Sequence, residues 1–231
     1  MSKSDKSVIL PSEGDGWEVW SQSGGNVTHV KSLEGAVAKS DAQAGACVAF
    51  SVCRVATLPM IVPSDEKELY RGACQLELEN AGLLVDVENY KGWGYVLVDK
   101  SDGQSFVSAV YLLEEELNEN NDLRHYSFDY SARFYAPNVE GDCIVLWKER
   151  HTWCLAFYHN NVPFLTEPIG REIVDLATSI NLLISQLAIK GITFQSHVLL
   201  LWTATESVSS LEEELASINV ILKEEPRPVP S

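Results

Sequence analysis

The feature of the sequence that most constrains its fold is a series of apolar segments in the second half, followed by one long amphipathic segment. Residues 143–148, 153–158 and 162–165 are rich in β-branched and aromatic residues and predict three strands of a meander. Between residues 170 and 190, apolar residues recur at helical spacing and predict a helix that packs through one face. These residues are Ile173, Leu176, Ile180, Leu183 and Leu187.

The segments after this helix predict an alternation of strands and helices. Residues 197–202 form a continuous apolar run, which is typical of a strand buried on both faces. Ser210 and Glu213 have the spacing of a capping box and predict the start of a short helix. Residues 219–222 predict a last strand. The second half therefore has the order of three strands, helix, strand, helix and strand.

The first half opens in a similar way. Strands are predicted at residues 8–10, 17–22 and 27–33, where apolar and polar residues alternate between turn residues. Two α/β units that begin with the same order of elements predict a duplicated fold. The halves share no visible sequence identity, so this prediction depends on element order alone.

The rest of the first half predicts more strands and one helix. The strands are at residues 46–55, 57–62, 93–99 and 106–111, and a further alternation covers residues 128–135. Ser64 is a good N-cap for a helix that Gly82 would end. Pro59 and Pro63 interrupt the apolar run before this helix, and Asp102-Gly103 predicts a hairpin turn.

Polar residues near 118–127 suggest where the chain divides. We predict a first lobe at residues 1–125, a second lobe at residues 126–224, and a proline-rich tail or linker at residues 225–231.

Composition excludes several classes of function. The 231-residue chain is 45% hydrophobic and carries a net charge of −16, without a cluster of Lys and Arg, so we expect no nucleic-acid binding. Its five cysteines form no C-x-x-C pair and fit a reducing cytoplasm better than a disulfide framework. We expect neither a signal peptide nor a transmembrane helix, because no apolar run is long enough.

Several parts of the chain together resemble a known family. They are residues 17–20, 57–65 with the helix ending at residues 75–79, 144–169, 198–205 and 210–220. The second half resembles the C-terminal lobe of actin-like proteins of the ribonuclease-H superfamily. The likeness is to the actin-like assembly proteins of type IV pili and type II secretion, which include PilM and the cytoplasmic domain of GspL. It implies an α/β fold of two ribonuclease-H-like lobes with mixed sheets flanked by helices.

The chain departs from this family at its nucleotide site. Nucleotide-binding members have a D-x-G turn between the first strands of each half, where backbone amides approach the phosphates and the Asp organises the metal. Here Asp15 directly precedes Gly16, and the second turn, at residues 147–151, contains no glycine. Where the family has a glycine pair beside the adenosine, this chain has Trp202 and the two residues after it. We therefore expect no ATP hydrolysis and no cofactor.

The resemblance then implies a function in recognition. It predicts a non-catalytic cytoplasmic scaffold of a type IV pilus or type II secretion platform at the inner membrane, with a platform protein and the assembly ATPase as partners. The protein would be peripheral, or anchored through sequence outside this chain, and self-association as a homodimer stays open. The alternatives are an ATP-binding, PilM-type regulator of pilus assembly and a binding module unrelated to secretion.

Other candidate sites are weaker. Cys143, His151, Cys154 and His159 match no zinc-binding spacing and would face different sides of a sheet, so we expect no metal site. The sequence has neither a G-x-S-x-G nucleophile motif nor a P-loop, so we expect no catalytic residues.

Two further groups of residues each have two possible interpretations. The acidic runs at residues 114–116 and 212–214 are either solvated or bind a basic partner. Trp93, between two glycines, is either a core residue or part of an exposed binding surface.

Overall fold

The computed structural model describes residues 7–21, 26–40, 46–83, 92–113, 127–202 and 209–230. Its strands are β1 (Ser7–Pro11), β2 (Trp17–Ser21), β3 (Val27–Val30), β4 (Cys47–Phe50), β5 (Val55–Val62), β6 (Trp93–Ser101), β7 (Gln104–Leu112), β8 (Ser127–Tyr130), β9 (Asp142–Glu149), β10 (Thr152–His159), β11 (Val162–Gly170), β12 (Val198–Trp202) and β13 (Ile221–Glu225). The α-helices are α1 (Leu33–Lys39), α2 (Lys67–Asn80), α3 (Leu176–Ile189) and α4 (Ser209–Ala216).

Two five-stranded sheets have the same topology. Their strand orders are β3-β2-β1-β4-β8 and β11-β10-β9-β12-β13. In each sheet the first three strands in sequence form an antiparallel meander, and the next two run parallel to the first. The predicted fold class, an α/β fold with two ribonuclease-H-like lobes, is confirmed.

A third sheet lies between β4 and β8 in the sequence. It has three strands in the order β5-β7-β6, and α2 packs against it. Strand β8 pairs with β4 and completes the first sheet, although it begins two residues after the predicted lobe boundary at residue 125. The division of the chain into lobes stays a prediction, and the pairing of β8 crosses its boundary.

Several predicted element limits were wrong. The strand predicted at residues 27–33 ends at Val30, and helix α1 begins at Leu33, where the Ser32 hydroxyl caps it by accepting from the Gly35 amide at 3.1 Å. Helix α2 begins at Lys67 rather than directly after Ser64, whose hydroxyl accepts a hydrogen bond from the Glu66 amide.

The limits of the later elements also differ from the predictions. Strand β11 continues to Gly170, so α3 begins only at Leu176, and Ile173 precedes it. The last strand is Ile221–Glu225 rather than residues 219–222. The alternation at residues 128–135 becomes β8 followed by a 3₁₀ turn, Ser131–Phe134.

Pro59 does not interrupt strand β5, although the sequence suggested a break there. Its register partner on β7 is Ser108. Proline has no amide hydrogen to donate. Because β5 is an outer strand of its sheet, a proline on its outward side interrupts no hydrogen bonds to a neighbouring strand.

The two large sheets share one buried core. Its members come from β1 and β4 of the first sheet and from β9, β10 and β12 of the second, and include Leu10, Phe50, Val145, Trp147 and Trp202. The opposite face of the second sheet packs against α3 and α4 through Ile144, Leu155 and Leu201. The two lobes are thus joined by close packing of side chains.

The C-terminal tail is attached to the first sheet. Beyond β13, the Arg227 guanidinium lies 2.5 Å from the Glu18 carboxylate and over the ring of Tyr135. An extended tail was predicted, and at Arg227 it binds the body of the protein. None of the helices in the described ranges is long and apolar enough to span a membrane.

Candidate functional site

Two hairpin turns lie where nucleotide-binding members of the actin-like family, which the sequence resembles, have their phosphate-binding turns. These two turns are hydrogen-bonded to each other. The Arg150 amide donates to the Ser12 carbonyl at 2.9 Å, and the His151 amide donates to the Glu13 carbonyl at 2.8 Å. We call this contact between the β1–β2 turn and the β9–β10 turn the turn junction. Two amides of the second turn are therefore bonded to protein carbonyls.

The second turn has the geometry of a two-residue hairpin. Arg150 and His151 have φ angles of 47° and 62°, as in a type I′ turn, although neither is a glycine. The Arg150 guanidinium lies 4.5 Å from the centre of the Trp17 ring, and His151 Nε2 lies 3.5 Å from an Asp15 carboxylate oxygen. Contacts with the first turn thus hold a backbone conformation that side chains disfavour.

The first turn needs its glycine for its own conformation. Gly16 has a φ of +108°, and a Cβ placed there would lie 2.5 Å from the Val30 carbonyl oxygen. The Ser12 hydroxyl donates to the Gly14 carbonyl at 3.0 Å. Gly16 therefore lets this turn pass close to the end of β3.

A buried carboxyl group lies next to the turn junction. Glu149, the last residue of β9, is 0% exposed. One carboxyl oxygen accepts from the Ser51 hydroxyl at 2.9 Å and the Val52 amide at 3.0 Å, and the other accepts from the Trp147 indole at 2.8 Å. Burial raises the pKa of Glu149, and these hydrogen bonds act in the opposite direction. Glu149 joins the end of β9 to the end of β4.

Aromatic side chains fill the space beside this carboxyl group. Trp202 is 1% exposed, and its ring centre lies 5.6 Å from that of Tyr135, 6.3 Å from that of Trp147 and 6.5 Å from that of Tyr158. The sequence predicted that this tryptophan would occupy space that a glycine leaves open, and the structure places it in the shared core. The two residues after Trp202 lie outside the described residues.

A groove of a different kind lies between two outer strands. It has a cavity of about 190 Å³ between β6, the outer strand of the small sheet, and β8, the outer strand of the first sheet. Gly94 pairs with Val110, so both share one sheet face with Val96 and Leu112. These residues form an apolar floor, which we call the inter-sheet groove.

One ion pair borders the inter-sheet groove. Asp129, on β8, and Arg133, in the 3₁₀ turn that follows β8, lie 3.1 Å apart. Burial raises the pKa of Asp129, while Arg133 and the Tyr130 amide act in the opposite direction. An apolar floor with adjacent acidic and basic groups and a strand edge suits an extended peptide, which offers backbone N–H and C=O groups as well as side chains.

The four residues considered for a metal site take part in separate contacts. His151 faces Asp15, Cys154 Sγ lies 3.9 Å from Cys53 Sγ, and the pKa of Cys143 is raised to about 12 by burial. His159 Nδ1 lies 2.6 Å from Asp142. Among the described residues, no group of three or more His, Cys, Asp or Glu side chains could hold a metal ion.

The remaining candidate residues have structural roles or lie outside the described residues. Trp93 is 8% exposed in the core of the small sheet, so the alternative of an exposed binding surface was wrong. Glu214 accepts from the Ala177 amide at 2.8 Å and so caps α3, while Glu212 and Glu213 are exposed. The acidic run at residues 114–116 lies outside the described residues.

Sequence reasoning missed Glu149 and the groove residues Asp129 and Arg133. A carboxyl group directly after the predicted strand at residues 143–148 was a signal for Glu149. Asp129 and Arg133 lie in a segment that the sequence predicted as a strand, where side chains four residues apart do not meet, so no local pattern indicated their pairing. No local pattern showed that β6 and β8 border one groove, because they belong to different sheets.

The fold is similar to that of solved structures from a secretion system and a pilus biogenesis complex. The cytoplasmic domain of EpsL, an inner-membrane component of the type II secretion system of Vibrio cholerae, matches with a TM-score of 0.55 and 14% identity over 97% of this chain and 90% of that chain. A protein in the PilM–PilN type IV pilus biogenesis complex matches with a TM-score of 0.58 and 12% identity over 95% of this chain and 84% of that chain.

A third structure is a Bacteroides thetaiotaomicron protein described as having an actin-like ATPase fold and unknown function. It matches with a TM-score of 0.49 and 13% identity over 96% of this chain and 91% of that chain. No protein-family model and no curated relative matches the sequence. The chain shares the fold of the EpsL cytoplasmic domain and of the matching protein in the PilM–PilN complex, and at these identities the likeness concerns the fold alone.

Proposed function

We propose that this protein is a non-catalytic scaffold of a type IV pilus or type II secretion assembly platform at the inner membrane. The observation that carries the proposal is the turn junction, in which the amides of Arg150 and His151 bond to carbonyls of Ser12 and Glu13. In a phosphate-binding turn such amides would point at the ligand. Here, a nucleotide would have to break bonds that join the lobes.

The filled core beside the turn junction supports the same proposal. Trp202 and Tyr135 are buried at 1% and 2% exposure, and Glu149 places a carboxyl group where an anionic phosphate would be repelled if the group is ionised. The structural similarity to the EpsL cytoplasmic domain and to the PilM–PilN complex supports a place in this kind of machine.

The inter-sheet groove is the proposed binding site for a partner. Its occupant would be an extended segment of a platform protein, as one protein of the similar complex is PilN. The segment would lie along the outer strand β6, with an apolar side chain over Val110 and Leu112 and polar groups at Asp129 and Arg133. The assembly ATPase would bind elsewhere on the protein.

Nucleotide binding tests the first part of the proposal. Calorimetric titration of the purified chain with Mg-ATP should give no binding up to millimolar nucleotide. Micromolar binding would refute the argument from the turn junction and would support the alternative, an ATP-binding regulator of the PilM type.

A pair of glycine variants tests the groove. A Cβ at Gly94 or Gly72 would meet no atom of the described residues within 4 Å, so the backbone leaves room for a side chain to begin at both positions. Gly94→Lys should weaken binding of the cytoplasmic segment of the organism's own PilN- or EpsL-associated platform protein at least tenfold, because it occupies the groove. Gly72→Lys, on the remote helix α2, should bind as the wild type does. Equal binding by both variants would place the partner site elsewhere.

A further inference from the structure

Two cysteines from different parts of the fold lie side by side. Cys53 is in the 3₁₀ turn Val52–Arg54 that leads into β5, and Cys154 is on β10 of the second sheet. Their sulfur atoms are 3.9 Å apart, although 101 residues separate them in the sequence. The turn and the strand pack against each other, so the sulfur atoms need to move toward each other by only about 2 Å to bond.

The two thiols have unequal surroundings. Cys53 is half-buried, whereas Cys154 is 0% exposed. The hydrogen bond between the two sulfur atoms lowers the pKa of Cys53 to about 6 and raises that of Cys154, whose pKa burial raises further. Cys53 is therefore the more accessible of the two thiols and the more acidic one, so an external reagent would react there first.

We propose that Cys53 and Cys154 form a reversible intramolecular disulfide site whose oxidising substrate is a small-molecule disulfide of the glutathione type. In the first step, the Cys53 thiolate attacks one sulfur of the reagent, an S–S bond breaks, and one glutathione leaves as a thiolate. Cys154 then loses its proton and attacks Cys53 Sγ, and the second glutathione leaves. Both protein thiols are oxidised, and one glutathione disulfide is reduced to two thiols.

The disulfide bond would connect the two lobes close to the turn junction. Cys53 directly follows Val52, whose amide bonds to Glu149, and Cys154 lies three residues beyond His151 on the same hairpin. The oxidised protein should therefore have a higher melting temperature, and the Arg150 and His151 amides should exchange hydrogen more slowly. This inference is independent of the proposed function, because it rests on the thiol pair alone.

Thiol counting under denaturing conditions tests the site. After incubation with oxidised glutathione, the wild type should fall from its five cysteine thiols to three, without a retained adduct, and mass mapping should find Cys53 joined to Cys154. The rate should rise with pH and level off above the Cys53 pKa of about 6. Five remaining thiols, or a lasting glutathione adduct on the wild type, would overturn the proposal.

Single-cysteine variants keep the test specific. Cys154→Ala should stop at one stable glutathione adduct on Cys53, and Cys53→Ser should not react at Cys154. Cys47→Ser is the matched control, because Cys47 is also half-buried but the variant keeps the pair. It should form the same bond as the wild type. A link that involves Cys47 in the wild type would contradict the assignment.

Discussion

Replacement of Glu149 by glutamine should measure the strength of the contact between β9 and β4. The carboxyl group accepts three hydrogen bonds, from Ser51, Val52 and Trp147, and is 0% exposed. Glutamine has the same shape but only one acceptor oxygen, so its amide nitrogen must face a donor. With the oxygen kept toward Ser51 and Val52, the Trp147 indole loses its acceptor.

The expected loss follows from these contacts. A hydrogen bond contributes about 0.5–1.5 kcal/mol net, and a buried donor without a partner costs about 1–3 kcal/mol. The variant no longer bears the free-energy cost of burying a carboxyl group, and this difference offsets part of the loss. We therefore expect Glu149→Gln to lower the free energy of unfolding by about 2–4 kcal/mol.

Urea unfolding followed by tryptophan fluorescence gives this difference directly, provided that the slope with denaturant is unchanged. Glu172→Gln is the control, since Glu172 is exposed on the same lobe and should change stability by less than about 0.5 kcal/mol. If Glu149→Gln is as stable as this control, the carboxyl group does not join the two sheets, and the reasoning is wrong.

Three further predictions concern pH, the first turn and the tail. Burial raises the folded pKa of Glu149, so its protonated form stabilises the folded protein below the unfolded pKa of about 4.3. This stabilisation is lost as the pH rises through the folded pKa. The difference in unfolding free energy between the wild type and Glu149→Gln should therefore shrink with rising pH in parallel urea titrations. Gly16→Ala should lower the melting temperature, because of its φ of +108° and the Val30 oxygen 2.5 Å away, whereas Gly72→Ala, in an open helical position, should raise it slightly. Arg227→Met should destabilise the chain by about 3 kcal/mol in chemical unfolding, since it leaves the buried Glu18 carboxylate with the Trp20 indole but without its cation; an unchanged midpoint would show that the tail is not bound in solution.

Element type followed from the sequence where local periodicity was strong. The strand patterns at residues 143–148 and 153–158 and the apolar face of α3 predicted elements that the structure contains. The duplication was also visible as element order. Helix α1 was missed because the alternation of β3 continues toward Leu33 and Gly35 weakens the helical signal.

Pairing between distant segments was decided by the tertiary structure. Strand β8 looks like the start of the second lobe in sequence, yet it pairs with β4, about 80 residues earlier in the chain, and completes the first sheet. The small sheet inserted between them had strand signals, but its position beside β8, and hence the inter-sheet groove, depended on packing between sheets.

The sequence by itself determined that the glycines of a nucleotide-binding turn are absent from residues 147–151 and that a tryptophan stands at position 202. Only the tertiary structure decided what replaces them. The amides of Arg150 and His151 meet carbonyls of the first turn, and Glu149 meets donors that lie 97 and 98 residues away. Local sequence fixes backbone preference and side-chain chemistry, whereas partners at such separations are brought together only when the shared core closes.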